Sequence, residues 1–213
     1  KAEADAKNVS VYTGYHGQRA YVDGVVSFAW WDSDVTRAVD VASIHRTAQS
    51  DYGSNRMAIH LEGGRTYELG SNQTLQPFAT FQRDVFDVQA FREHGAQDID
   101  IVSHSQGGDR ITTGLGLRWS GAFQHGEWTI DPTAQARWLH TTGDRTVQFE
   151  LAYAGAPDVN YLVRGATFPK DRGLVGLGLS ARKDNIDLFV DYDYQSGEAF
   201  KAHNLSAGLR YRW

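Results

Sequence analysis

An all-β fold, a transmembrane antiparallel β-barrel, is predicted by three observations on this sequence. Segment after segment alternates apolar with polar or small side chains at a period of two. The connections are short turns at one end of the segments and longer polar stretches at the other. The composition is rich in aromatic residues (6 Trp, 10 Tyr and 10 Phe) and contains 22 Gly, as aromatic girdles and small inward positions require.

Charge and composition exclude several other classes of protein. The 213 residues carry a net charge of −5 with Lys and Arg scattered, which argues against a nucleic acid partner. Because Cys is absent, disulfide frameworks and thiolate metal sites are excluded. No pair among the eight His has the short spacing of a zinc site. We therefore predict neither a metal site nor a cofactor.

The first three predicted strands show the alternation clearly. In each of them apolar side chains recur at every second position, and polar side chains stand at several of the positions between them. We expect the apolar set to face lipid and the polar set to face the lumen. The apolar sets are Val9, Val11 and Tyr15, then Val22, Val26, Phe28 and Trp30, then Met57, Ile59 and Leu61, opposed by Ser10 and His16, by Asp23 and Ser27, and by His60 and Glu62.

The fourth strand, residues 75–84, fits less well. Strict alternation places Arg83 on the same side as Pro77, Ala79 and Phe81. A charge facing lipid at mid-depth costs about 2–4 kcal/mol but little near an interface. Since Arg83 lies at one end of the segment, we expect either a snorkelling side chain or a β-bulge there.

Strands five to eight return to strict alternation. Their outward sets are apolar, and their inward sets combine small residues with charged ones. These sets are Ile111, Thr113, Leu115, Leu117 and Trp119 against Thr112, Gly114, Gly116, Arg118 and Ser120; Ile130, Ala134, Ala136 and Trp138 against Thr133, Gln135 and Arg137; Val175, Leu177, Leu179 and Ala181 against Gly176, Gly178, Ser180 and Arg182; and Ile186, Leu188, Val190, Tyr192 and Tyr194 against Asp187, Phe189, Asp191 and Asp193.

The ninth strand, residues 204–213, has two arginines on one face and only apolar or aromatic side chains on the other. Such a strand separates two solvents. In a soluble sandwich the arginines would face water and the apolar side chains would face a core. In a barrel wall the arginines face the lumen and the apolar side chains face lipid. The two sets are Leu205, Ala207, Leu209, Tyr211 and Trp213 against Asn204, Ser206, Gly208, Arg210 and Arg212.

The connections predict the orientation. Short turns are periplasmic in outer-membrane barrels, which places Trp213 in the periplasm and the long loops outside the cell. Single-chain bacterial barrels have even strand counts, so nine strands imply that some are missing on the N-terminal side. The short turns are residues 17–19, 70–72, 124–126 and 183–185, and the long loops are residues 37–54, 86–109, 141–172 and 195–203.

Several blocks resemble the autotransporter (type V secretion) C-terminal translocator β-domain. They are YVDGVVSFAWWDSD, LQPFATF, YLVRGATFPKD, LVGLGLSAR, LFVDYD and the closing HNLSAGLRYRW, and the resemblance covers essentially the whole chain. It implies a barrel of 12 strands when complete, with a linker helix in its pore. On that comparison residues 1–213 are one outer-membrane translocator domain of about nine strands, truncated at its N-terminal side, without the helix or a passenger.

The resemblance also implies a function and partners. The barrel would anchor in the Gram-negative-type outer membrane and export an N-terminal passenger, in contact with lipid, the barrel assembly machinery, and its own passenger and linker. Leu205, Leu209, Tyr211 and Trp213 are similar to the signal that this machinery reads. Some family members cleave their passenger with lumen acids, but lumen acids mostly pair with lumen arginines, so we predict no enzyme. The candidate lumen residues are Asp23, Glu62, Arg118, Arg137, Arg182 and Arg210.

Two alternatives remain open. One is another outer-membrane barrel, either a channel or a barrel enzyme, although a porin normally has 16 or more strands. The other is a soluble α/β-hydrolase, because DIDIVSHSQGG resembles a nucleophile elbow with Ser105 as nucleophile. An elbow needs a helix next, and the following RITTGLGLRWS alternates like a strand.

Overall fold

The computed structural model describes residues 1–41 and 43–213, and nearly all of them lie in β-strands. The strands are numbered in chain order. Nine long strands, here called the wall strands, are β1 (Ala2–His16), β2 (Ala20–Val41), β3 (Ile44–Arg65), β5 (Gln73–Val88), β8 (Gln106–Gly121), β10 (Trp128–Gly143), β13 (Asp171–Lys183), β14 (Ile186–Gly197) and β15 (Phe200–Tyr211).

Six shorter strands and one turn of 3₁₀ helix, Gln97–Ile99, complete the chain. Among the residues that the structure describes, no helix is long and apolar enough to cross a membrane. The shorter strands are β4 (Tyr67–Glu68), β6 (Phe91–Arg92), β7 (Ile101–Ser103), β9 (Phe123–His125), β11 (Thr146–Tyr153) and β12 (Ala156–Thr167).

The wall strands form one curled antiparallel sheet. Each pairs with the next wall strand along the chain, in the order β1-β2-β3-β5-β8-β10-β13-β14-β15. Within the described parts of the chain β1 and β15 do not pair with each other, so the strand count fits a partial barrel. The prediction of an all-β, barrel-type sheet with about nine strands is confirmed.

The two faces of the sheet differ as the alternation predicts. On the convex face large apolar side chains are exposed, for example Leu177 (58% exposed), Leu205 (71%) and Leu209 (66%). The strand register places apolar residues opposite each other, for example Leu179 opposite Val190. So much exposed apolar surface is typical of a protein whose convex face contacts lipid rather than water.

Arg83 lies on the convex face without a bulge. The pairing of β3 with β5 is continuous from Ser54–Val88 to Gly64–Phe78, so the bulge considered for this strand is absent. The Arg83 guanidinium instead forms an ion pair with Asp109, which lies on the same face, with 2.5 Å between Nη2 and Oδ2. The alternation is therefore strict in this strand too, and a second charge partly neutralises the first.

The expected loops at residues 37–54 and 195–203 are largely strand. β2 and β3 stay paired up to Val41 and Ile44, and β14 and β15 up to Gly197 and Phe200. These stretches are polar, but a paired strand that projects beyond the membrane has water on both faces, so polarity does not end it. The prediction of long loops at residues 37–54 and 195–203 is therefore wrong, although the stretches are polar as predicted.

The other two expected loops form a second sheet. Residues 86–109 and 141–172 contribute four short strands in the order β12-β11-β7-β6, here called the loop sheet. It lies at the end of the wall opposite the short turns; we call the two ends the loop end and the turn end. Glu93 attaches the loop sheet to β2, because its carboxylate accepts hydrogen bonds from Arg37 Nε at 2.9 Å and from the backbone of Ile101 at 2.8 Å.

No nucleophile elbow surrounds Ser105. Only His104 and Ser105 separate β7 from β8, which begins at Gln106 and runs for 16 residues. Since a strand rather than a helix follows, no helix N-terminus faces the hydroxyl. The α/β-hydrolase alternative is wrong.

Candidate functional site: the concave face of the sheet

A hydrogen-bonded network lines the concave face at the turn end. The Tyr21 hydroxyl donates to Glu62 Oε1 at 2.7 Å, and Arg118 Nη2 donates to the same oxygen at 3.4 Å. Arg118 Nη1 donates to Gln76 Oε1 at 2.8 Å. The network joins four wall strands, β2, β3, β5 and β8, through side chains alone.

Asp23 belongs to the same region of the concave face. It lies directly opposite Glu62 in the register of β2 and β3. Two carboxylates at opposed positions repel each other, so each needs a compensating partner. Asp23 lies 2.8 Å from His16 Nε2, and Glu62 has Arg118 and Tyr21. Both acids are thus engaged in structural contacts.

Phe78 packs beneath Arg118. The guanidinium carbon lies 4.8 Å from the centre of the Phe78 ring, a cation–π contact. Phe78 lies directly opposite Gly116 in the register, and a Cβ at Gly116 would overlap the ring. The small inward position therefore makes room for a large neighbour on the next strand.

Two further candidates form ion pairs farther along the sheet. Arg182 on β13 donates from Nη2 to Asp131 on β10 at 2.6 Å. Arg210 on β15 lies 3.8 Å from the carboxylate of Asp187 on β14. Each arginine meets an acid of the adjacent strand, as is typical of charges on a hydrated wall.

Arg137, the last candidate, has no acid partner among the described residues. It belongs to a group of arginines at the loop end of the concave face, with Arg110 on β8 and Arg172 on β13. The neighbouring Asp84, which is 1% exposed, accepts a hydrogen bond from Arg56 Nε at 2.9 Å. The six candidate residues therefore divide between paired charges and one unpaired arginine.

Sequence reasoning missed several inward residues at the loop end. Arg110 and Arg172 share the parity of the inward residues Thr112 and Gly176, so extending the alternation by a few positions would have found them. Asp84 is the last residue of the fourth predicted strand, and the sequence analysis assigns it to neither face of the sheet. Phe168, which lies between β12 and β13, carries no pattern that could have placed it.

The proposed assembly residues lie on and beyond the last strand. Leu205, Leu209 and Tyr211 are exposed on the convex face of β15, at alternate positions. Trp213 follows the end of that strand and is fully exposed. Tyr211 and Trp213 lie at the turn end of the sheet, whereas Leu205 lies near the middle of β15.

Beyond the apolar band of the convex face, Arg37 joins β2 to the loop sheet. The hydrogen bond to Glu93 raises the pKa of Arg37, and it outweighs the opposing effect of burial. Arg37 Nη2 also donates to the carbonyl oxygen of Ile99 at 2.9 Å. The ion pair with Glu93 and the hydrogen bond to Ile99 therefore hold the loop sheet against the wall.

Taken together, the concave face is polar and charged, and its described acids are mostly held by arginine, histidine or amide partners. Among the described residues it carries no cluster of metal-ligating side chains. A surface of this kind is suited to contact water or a hydrated chain.

Comparison with known proteins gives the same fold. The family described as "Autotransporter beta-domain" matches residues 1–193. The β domain of the Bordetella autotransporter BrkA is similar in structure, with a TM-score of 0.63 and 20% identity over 99% of this chain and 74% of that one. The translocator domain of the autotransporter NalP from Neisseria meningitidis has a TM-score of 0.63 and 18% identity, over 100% and 69% of the two chains. No curated protein sequence matches the chain.

Proposed function

Because the chain belongs to the autotransporter β-domain family, we propose that it anchors in the outer membrane and exports an N-terminal passenger to the cell surface. The observation that carries this proposal is the contrast between the two faces of one sheet. Exposed Leu177 and Leu209 suit lipid, and Glu62 and Arg118 on the other face suit a hydrated pore.

Export of this kind needs no catalytic residue in the barrel. Asp23 and Glu62 are the inward acids that could act on a linker, but His16, Tyr21 and Arg118 already hold them. The proposal therefore assigns them to the pore wall, and the protein acts as an anchor and passage. Family membership favours this role over that of another outer-membrane barrel, whether channel or enzyme.

The proposal includes an orientation. The turn end, with Trp213, faces the periplasm, and the loop sheet lies outside the cell. The two longest connections, from β5 to β8 and from β10 to β13, both lie at the loop end, which supports this choice because external loops are long in such barrels. The connection between β13 and β14, for example, is only two residues, whereas β5 and β8 are joined by 17 residues that include part of the loop sheet.

The proposed partners follow from the surfaces. Outer-membrane lipid covers the convex face, and the barrel assembly machinery reads Leu205, Leu209, Tyr211 and Trp213. The passenger and its linker occupy the pore. No nucleic acid is among the proposed partners, since the net charge is −5 and Lys and Arg are scattered along the sequence.

Surface labelling of intact cells tests the function. The full-length protein is expressed in a Gram-negative host with an epitope in its passenger, and intact cells are probed with antibody and with external protease. We expect labelling and cleavage that disappear when residues 1–213 are deleted. A passenger retained in the periplasm, while the barrel is present in the outer membrane, would refute the export function.

A further inference from the structure

Three arginines of the concave face, between the middle of the wall and its loop end, each have one nitrogen without a hydrogen-bond partner. Arg110, Arg137 and Arg172 each have a buried Nε that no described atom satisfies, and these are the three such side-chain nitrogens that the described chain contains. An unsatisfied buried donor is unfavourable, and a charged one more so. We call Arg110, Arg137 and Arg172 the arginine ladder. Their three Nε–H groups need hydrogen-bond acceptors.

The ladder occupies one face of three adjacent strands. In the register of β10, Arg172 lies opposite Leu139 and Arg110 opposite Gly143, and Arg137 is on β10 itself. Positions 137, 139 and 143 have the same parity, so the three side chains share the concave face. We call positions 137, 139 and 143 along β10 the three levels of the ladder. At about 3.4 Å per residue they span roughly 20 Å.

Phe168 holds two of these arginines in place. Its ring centre lies 4.3 Å from the guanidinium carbon of Arg110 and 4.2 Å from that of Arg172. The Phe168 amide donates to Arg145 O at 2.7 Å, which anchors the segment that carries the ring. Cation–π contacts orient the guanidinium planes but leave their in-plane N–H donors available.

The acids nearby do not neutralise the ladder. Asp84 is bonded to Arg56 and lies 3.6 Å from Arg110, so one carboxylate serves two arginines. Asp193, on the concave face of β14, accepts a hydrogen bond from Gln135 at 3.3 Å rather than from Arg137. The patch therefore carries an excess of positive charge.

We propose that the arginine ladder binds carboxylate side chains of the polypeptide that occupies the pore. The proposal deepens the proposed export function and rests on it. Guanidinium groups bind carboxylates with short, often bidentate hydrogen bonds, which would satisfy the three orphaned nitrogens. A small free anion such as phosphate has a charge of the same sign, but it spans only one level of the ladder. Acidic residues spaced along an extended or helical segment match several levels at once.

Zero-length crosslinking tests the proposal. In the full-length protein, Arg172→Lys places a primary amine in the ladder, and a water-soluble carbodiimide joins an amine to a carboxylate in direct contact with it. We expect mass spectrometry to find the new amide bond between position 172 and an Asp or Glu of the pore-occupying segment. Arg182→Lys serves as the positive control, because its partner Asp131 is known. Arg164→Lys, on the exposed strand β12, serves as the negative control.

Three outcomes would overturn the proposal. One is a crosslink from position 172 only to Asp84, Asp191 or Asp193 of the wall, while the positive control reacts. Another is the absence of any crosslink while the positive control reacts. The last is that calorimetry finds phosphate binding to the full-length protein that is lost in an Arg137→Gln/Arg172→Gln variant, with no crosslink to a polypeptide, which would make the ladder a small-anion site.

The export function is tested separately by surface labelling of the wild-type protein. Failure of the crosslink with normal labelling would refute the ladder alone, and failure of labelling would refute the function on which it rests.

Discussion

Glu62 on β3 and Arg118 on β8 meet across the whole width of β5, with 3.4 Å between Oε1 and Nη2. The two residues are 56 positions apart in the chain. Tyr21 reaches the same carboxylate from β2 at 2.7 Å. Because this contact skips a strand, it depends on the curvature of the sheet, and it stabilises that curvature in return.

Removing the shared acceptor should weaken the barrel at its turn end. Glu62→Ala leaves the Tyr21 hydroxyl and Arg118 without their partner, which we expect to cost about 1–3 kcal/mol of unfolding free energy. Glu62→Gln retains an acceptor oxygen and should cost less. Urea unfolding of the detergent-refolded protein, followed by tryptophan fluorescence, measures both. Equal losses of unfolding free energy in the two variants would show that the acceptor oxygen at position 62 does not contribute to stability.

The Phe78–Gly116 contact should make Gly116 intolerant of a side chain. A Cβ there would overlap the Phe78 ring, and overpacking of this kind costs about 1–3 kcal/mol. We expect Gly116→Ala to lower the urea midpoint and Phe78→Leu to restore part of the loss. Gly173→Ala is the matched control, because a Cβ at that wall position meets nothing within 4 Å. A similar loss at both glycines would mean that backbone entropy or β-propensity, rather than steric overlap, is responsible.

A new charge should be tolerated on one face of β13 and not on the other. Leu177→Arg faces lipid in our interpretation and should cost about 2–4 kcal/mol at mid-depth, which blocks insertion, as should Leu188→Arg on β14. Ser180→Arg lies on the concave face near Asp131 and should insert normally. The amount of heat-modifiable, folded barrel in outer-membrane fractions measures insertion. If all three variants behaved alike, the assignment of the faces would be incorrect.

Trp213 should matter for assembly more than for stability. It lies beyond the end of β15 and is fully exposed, so it contributes little packing to the folded sheet. We expect deletion of Trp213, or Trp213→Ser, to slow membrane assembly in cells strongly and to leave the urea midpoint of the assembled barrel nearly unchanged. Pulse–chase assembly kinetics measure the first quantity. Assembly rates equal to wild type would contradict the proposed signal.

Much of the fold could be predicted from alternation because each side chain in a wall strand contacts one of two different solvents. That rule located all nine wall strands and assigned Arg83 to the outward set, where the structure places it with Asp109. The rule weakens beyond the membrane, where both faces of a strand meet water. For this reason the sequence pattern predicts loops where the structure has the hairpin extension of β2 and β3 and the loop sheet.

The site could be predicted only in part. The parity of a residue shows which face it occupies, so inward Asp23, Glu62, Arg118 and Arg137 could be named in advance. Parity does not show which partner a residue meets. The partner of Arg118 depends on strand register and sheet curvature. Within the described part of the chain, Asp84 and Asp193 bond to Arg56 and Gln135 rather than to Arg137.

The amino-acid sequence by itself determined that this protein is a β-sheet with one face for lipid and one for water, since a period of two is a local property of the chain. Only the tertiary structure decided that Glu62 meets Arg118 and that Phe168 stacks between Arg110 and Arg172. Those contacts join residues distant in the chain, and their geometry is set by pairing register and curvature, which no local pattern encodes.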